Sequence, residues 1–177
     1  LFRSLSHKVL AASIEVLVGN FERAEQRYAT ILERIPHHAQ VQNSHGHALK
    51  TLGRQDEAIS AYRRAIDLRP SMGDAYWNLA NMKTFEFSDS EVEQMRREIS
   101  AEDIDARDHY HLCFALGKAL EDRGEYGESF HYYQLGNELR GKEEGYQAAQ
   151  TTAETDALIQ HCTPELFAGR ETYGCPD

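Results

Sequence analysis

Nine histidines, three cysteines and 29 carboxylates in 177 residues supply groups for acid–base, nucleophilic or metal chemistry. The densest such stretch is NSHGHALK, Asn43 to Lys50, where two histidines flank a glycine behind a serine. In a loop it could ligate a metal, wrap a phosphate or belong to a catalytic centre. On a helix, residues two apart point roughly 200° apart around the axis, so His45 and His47 face different sides and cannot share one ion. His109 and His111 repeat that spacing, and His37 and His38 fall in a turn, where solvation is the simpler role. Cys113, Cys162 and Cys175 are odd in number and form no C-x-x-C pair, which argues against a disulfide framework or zinc knuckle and for a reducing, cytoplasmic setting. Phosphate-loop patterns and the G-x-S-x-G elbow do not occur. No carboxylate pair stands out as an acid–base couple, and Cys113 reads as a small buried hydrophobe. The sequence therefore predicts no catalytic residue, no cofactor and no metal.

The elements that position these residues follow from an internal repeat. GNFERAEQRYATILERIP, Gly19 to Pro36, lies over GRQDEAISAYRRAIDLRP, Gly53 to Pro70. Gly19 and Gly53, Ala24 and Ala58, Tyr28 and Tyr62, and Pro36 and Pro70 all share one offset of 34 residues. A third copy runs from Leu116 to Leu139, with Gly124, Ser129 and Tyr133 where Gly53, Ala58 and Tyr62 stood. Gly53 to Gly124 is 71 residues, two periods plus three, so a small insertion lies between.

This period and pattern resemble the tetratricopeptide repeat, in which each unit is a pair of antiparallel helices. Small Gly46 and Ala58, Tyr62 four residues on, and the closing Pro70 carry the resemblance. The physics agrees. Leu116, Gly117 and Leu120, like Tyr76, Leu79 and Ala80, form a packing stripe at helical spacing. Gly19, Gly53 and Gly124 suit a left-handed cap after each first helix, and Pro36 and Pro70 end the second helices. The expected fold is an all-α solenoid of about four hairpins, plus a capping helix. Residues 1–141 hold units of about 5–36, 39–70, 73–100 and 106–141, with helices at 5–18 and 21–35, 39–52 and 55–69, 73–84 and 89–100, and 106–123 and 126–140. In the third unit TFEFSDSE replaces the glycine turn, and Ser88 or Ser90 with Glu91 or Glu93 offers a capping box. Residues 142–177 form a polar capping helix, then a short helix opened by Thr163 and Pro164, leading towards a further domain.

On this map NSHGHALK is mid-helix, with Gly46 at the small packing position and His45 half-buried where the repeat expects Leu. Tyr28, Tyr62 and Tyr133 are core positions. The stacked first helices leave a concave groove. Its stripe is Gln40, Asn43, His47 and Lys50 in the second unit; Asp74, Trp77, Asn81 and Thr84, with Asn78 beside them, in the third; and His111, Phe114, Lys118 and Glu121 in the fourth. The groove set is Asn43, His47, Lys50, Trp77, Asn78, Asn81, Phe114 and Lys118. Amides can hold a peptide backbone, and Trp77 or Phe114 can seat an apolar side chain; equally, such residues can merely solvate the inner face. Repeats of this family that grip a terminal carboxylate use cations on either side of an Asn. The matching positions here are Asn43, His47, Asn78, His111 and Ala115, which lack the Lys and Arg.

Charge and composition exclude other classes. A net charge of −10 opposes nucleic-acid binding, and no apolar run is long enough to span a bilayer. Asp89 to Glu128 holds 12 acidic and 5 basic residues, a solvated acidic stretch. The chain opens on LFRSLSHKVL with no initiator Met, as a processed or cut piece would. VLAASIEVLV in the first helix is apolar on more faces than one stripe needs, with Lys8 and Glu15 on stripe positions, which marks an interface with upstream repeats or a second copy.

A second resemblance covers Gly73 to Asp177. AYWNLANMKTFEFSD, FALGKALED and TPELF are similar to the repeat region that precedes the catalytic domain of bacterial tetratricopeptide–sulfotransferase proteins. That resemblance implies a parent sulfotransferase with a following glycine-rich phosphate loop, which this chain does not contain, so no residue here inherits a catalytic role. The leading expectation is a non-enzymatic scaffold that holds a protein or peptide in its groove. The alternative is the accessory recognition region of a sulfotransferase.

Overall fold

The computed structural model describes residues 2–145 and 147–169. All regular structure among them is helical: α1 (Phe2–Leu17), α2 (Phe21–Leu32), α3 (Ala39–Thr51), α4 (Gln55–Leu68), α5 (Gly73–Ala80), α6 (Asp89–Ile99), α7 (Ala106–Asp122), α8 (Tyr126–Glu144), α9 (Ala148–His161) and α10 (Pro164–Phe167). The chain divides into two compact units, Leu1–Glu143 and Glu144–Asp177.

In the first unit α1–α2 and α3–α4 pack as hairpins and α8 meets α7 through Tyr133 on Gly117, whereas α5 and α6 both pack on α7. The glycine turns are alike. Gly19, Gly53 and Gly124 take φ of 79°, 78° and 75°. The next N–H in each case reaches back to the helix: Asn20 to the Glu15 carbonyl, Arg54 to Leu49 and Glu125 to Leu120, at 2.8–3.0 Å. A Cβ at these positions would strain the left-handed backbone, which is why the repeat needs glycine there.

Packing inside each hairpin also repeats. Ala58, Ala61, Tyr62, Ala65 and Ile66 bury one face of α4, and the Tyr62 ring lies against Gly46 so closely that a Cβ there would stand 2.7 Å from it. Tyr133 lies on Gly117 in the same way. Ser129, at the position of Ala24 and Ala58, is buried with its hydroxyl donating to the Gly117 carbonyl at 2.8 Å. Leu79, Leu112, Leu116 and Leu120 complete a core that runs from α3 to α7, while Ala12, Ala24, Tyr28, Ile31, Val41 and Ala48 join the first hairpin to α3.

The third hairpin departs from the expected boundary. α5 ends at Ala80 rather than near residue 84, and Asn81 turns its amide onto the Trp77 carbonyl at 2.8 Å. Phe85 and Phe87 then meet edge to face at 4.8 Å, both buried. Two alternate residues can enter the same core only if the chain leaves the helix and extends. The capping box closes this segment on Ser88 and Glu91, the first of the expected pairs.

The inserted residues surface at the front of α7. Its N-cap Asp105 precedes Gly117 by 12 positions, whereas N-cap His38 precedes Gly46 by 8. α7 thus gains a turn, and Asp108 on it accepts from the Gly73 N–H at 3.0 Å and pairs with Arg69 at 3.1 Å. Gly73 is required there, because a Cβ would collide with the Asp108 backbone. In the second unit α9 is regular but has no buried residue, and Thr163 and Pro164 open α10 as expected. Cys175 and the rest of the last eight residues lie outside the described residues.

A groove on the first helices

NSHGHALK lies in α3. His45 is half-buried, with Nε2 3.3 Å from the Glu25 carboxylate, whereas His47 is exposed and meets the Phe21 ring at 6.5 Å. The two rings serve different neighbours on different sides. His38, expected only to be solvated in its turn, caps α3: its Nδ1 accepts from the Val41 N–H at 3.4 Å. Cys113 is fully buried and burial pushes its thiol up to about 12, which leaves it inert.

A groove of about 500 Å³ opens along α1, α3, α5 and α7. Four residues of the expected set line it: Asn43, His47, Trp77 and Asn78. The helix spacing brings the two amides together across the unit boundary, Asn78 Nδ2 donating to Asn43 Oδ1 at 3.2 Å. The pair leaves the Asn43 amide N–H and the Asn78 carbonyl oxygen without a partner among the described residues. One donor and one acceptor side by side match the needs of a single peptide unit.

Trp77 forms the wall beside this pair. It stacks on His111 at 6.5 Å with planes 7° apart, and leans on Phe114 at 5.6 Å. The Asp74 carboxylate lies 2.8 Å from His111 Nδ1 and 3.6 Å from Arg107. Contact with His111, helped by the nearby Arg107 and Arg69, outweighs the opposing effect of burial and holds Asp74 below its ordinary pKa.

The other four expected residues do not line the groove. Phe114 braces Trp77 from behind and packs on Gly136 of α8. Lys50 is half-buried, and desolvation lowers its ammonium pKa. Asn81 sits on the α5 C-cap, and Lys118 pairs with Asp122. In turn the groove gains Ser13, Val16, Leu17, Tyr28, Ser44 and Arg107. Arg107 was missed because it stands on the extra turn of α7, outside the regular register; the 71-residue offset was the signal. It supplies a groove cation that the regular positions lack. Among the described residues no group of three His, Cys, Asp or Glu could hold a metal ion, and no helix is long and apolar enough to cross a membrane.

Repeated hairpins, recurrent Gly–Tyr contacts and a groove along the first helices define a tetratricopeptide-type helical solenoid. The comparisons with known proteins agree. The TPR repeat family matches residues 46–82. The fold is similar to a crystal structure of MamA, at 21% identity and a TM-score of 0.58 over 80% of this chain and 81% of that one. It is similar also to BtubC (BKLC) from P. vanneervenii, at 16% identity and 0.59 over 81% of this chain and 65% of that one. A MamA RS-1 ArsTM double mutant gives 14% identity and 0.52 over 80% and 78%. At these identities the likeness is one of fold. No curated protein sequence matches the chain.

Proposed function

We propose that this chain is a non-enzymatic interaction module that holds an extended protein segment in the α1–α3–α5–α7 groove. Repeats of this type generally mediate protein–protein contacts, and the Asn43–Asn78 pair is the observation that carries the reading here. Its open donor and acceptor take the N–H and C=O of one residue, the Trp77 face takes the neighbouring apolar or aromatic side chain, and His47 and Arg107 line the rim. Lys50, Asn81, Phe114 and Lys118 act at the margins, Phe114 by fixing the Trp77 ring. The buried thiol of Cys113 suits a reducing, cytoplasmic setting. The sulfotransferase reading rests on the Gly73 to Asp177 sequence block alone, and neither the repeat match nor the structures named above carries it.

Selection of random peptides on the wild-type chain tests the proposal. Chosen peptides should bind Asn78→Ala and Trp77→Ala about tenfold more weakly, since each loses an interaction worth about 1–2 kcal/mol. Equal affinity for both variants, with helicity unchanged by circular dichroism, contradicts it.

A further inference from the structure

One contact recurs between α4, α6 and α8, and its counterpart between α2 and α4 is missing. Glu57, Glu91 and Glu128 are each the third residue of their helix, the later two standing 34 and 71 positions after the first. Arg63 of α4 pairs with Glu91 at 2.9 Å and lies over the Phe85 ring at 5.3 Å. Arg96 of α6 pairs with Glu128 at 2.7 Å and lies over the Tyr132 ring at 5.8 Å. In both cases a guanidinium from one helix covers apolar surface on its way to a carboxylate at the start of the next. Thirty-four residues before Arg63 stands Ala29. The arginines that α2 does carry, Arg23 and Arg27, turn to Glu15 instead.

The space so vacated is a crevice of about 550 Å³ between α2, α3 and α4, which shares no lining residue with the groove. Its floor is apolar: Ala29 and Leu32 of α2, Leu49 of α3 and Ala61 of α4, the last two buried. Its rim is acidic. Glu57 is held by Arg54 at 2.6 Å, and His45 lies on Glu25. Glu33 and Asp56 have no ion-pair partner among the described residues, and Arg64, the remaining cation of the lining, pairs with neither. Glu33 is also ill placed for stability alone. It is the C-cap of α2, whose last turn carries no basic residue, so its charge meets the negative end of the helix. Gln42, also in the lining, is only 3% exposed. Its amide nitrogen donates to the Pro36 carbonyl at 3.1 Å, which leaves the amide oxygen as an acceptor with no partner among the described residues. An apolar floor, two unpaired carboxylates and an open carbonyl fit a long cationic side chain, its stem on the floor and its N–H groups on the oxygens. A guanidinium, with five donors in a planar fork, meets that set best.

We propose that this crevice takes an arginine side chain of a partner protein, in the manner that Arg63 and Arg96 fill the later positions from within the chain. The probe is the capped tripeptide N-acetyl-Gly-Arg-Gly-amide, titrated into the isotope-labelled chain and followed by NMR. Saturable shifts should appear at roughly millimolar probe, at the backbone amides of Leu49 and Ala61 and at the side-chain amide of Gln42. The same tripeptide with citrulline keeps the shape, loses the charge and should leave these signals in place. Asp56→Asn and Glu33→Gln should each weaken binding about two- to fivefold, and Arg64→Gln should strengthen it by a similar factor. Ala29→Arg supplies the missing arginine and should abolish the response with helicity unchanged; should that variant not fold, the three rim variants decide. No response, shifts spread over the acidic surface without Leu49 and Ala61, an equal response to the citrulline probe, or rim variants that bind like the wild type overturns the proposal.

Discussion

The chain makes the same contact twice, 71 residues apart, and the two copies do not live alike. Tyr62 lies on Gly46 in the second hairpin and is fully buried between neighbours on both sides. Tyr133 lies on Gly117 in the last hairpin, only half-buried, with its hydroxyl donating to Glu121 at 2.8 Å. The Tyr62 hydroxyl is buried without a partner among the described residues, and burial alone raises its pKa. The repeat fixes the glycine–tyrosine fit, but position in the stack fixes how much surface that fit removes from water. Equal sequence therefore predicts unequal energy.

Substitutions sharpen the contrast. Tyr62→Ala should cost about 3–5 kcal/mol in denaturant unfolding, as for a large buried aromatic, and Tyr133→Ala less than half of that. Equal losses would mean that stacking contributes little to the burial. Gly46→Ala comes next. Its Cβ would stand 2.7 Å from the Tyr62 ring, so overpacking of about 1–3 kcal/mol should outweigh the gain of about 1 kcal/mol in helix propensity. At Gly117 the nearest ring atom is 3.0 Å away and the ring is freer to shift, so Gly117→Ala should lie near neutral. Ser88→Ala removes the capping box of α6 and should cost about 1 kcal/mol in thermal or chemical unfolding, with no effect on the glycine–tyrosine pairs.

The smallest effect is one of pH. Asp74 is held below its ordinary carboxylate pKa by His111, Arg107 and Arg69. Its contribution to stability is thus present above the unfolded Asp value and is lost as pH falls through the lower folded value. Denaturation of Asp74→Asn should show a shallower loss of stability in acid than the wild type. A parallel pH profile would remove that assignment.

Much of this was legible in the residues. The 34-residue offset placed Gly19, Gly53, Pro36 and Pro70, and the helices of the first, second and fourth hairpins fell within a few positions of the expected ends. Glycine caps and tyrosine packing are local chemistry, so sequence carries them directly. The third hairpin was harder to read. α5 stops early because Phe85 and Phe87 must both reach the core, a tertiary demand that no cap residue announces. The groove was half legible. Asn43, His47, Trp77 and Asn78 follow from register, whereas Arg107 arrives on an inserted turn, and Asn81 and Lys118 satisfy local partners instead.

Trp77 is the single tryptophan of the chain, so its emission reports on the groove without interference. Titration with a peptide selected on the wild-type chain should change that emission saturably, with the same dissociation constant as an independent binding measurement, and the change should weaken about tenfold in Asn78→Ala. Tight binding that leaves the Trp77 emission unchanged would place the partner elsewhere and contradict the groove.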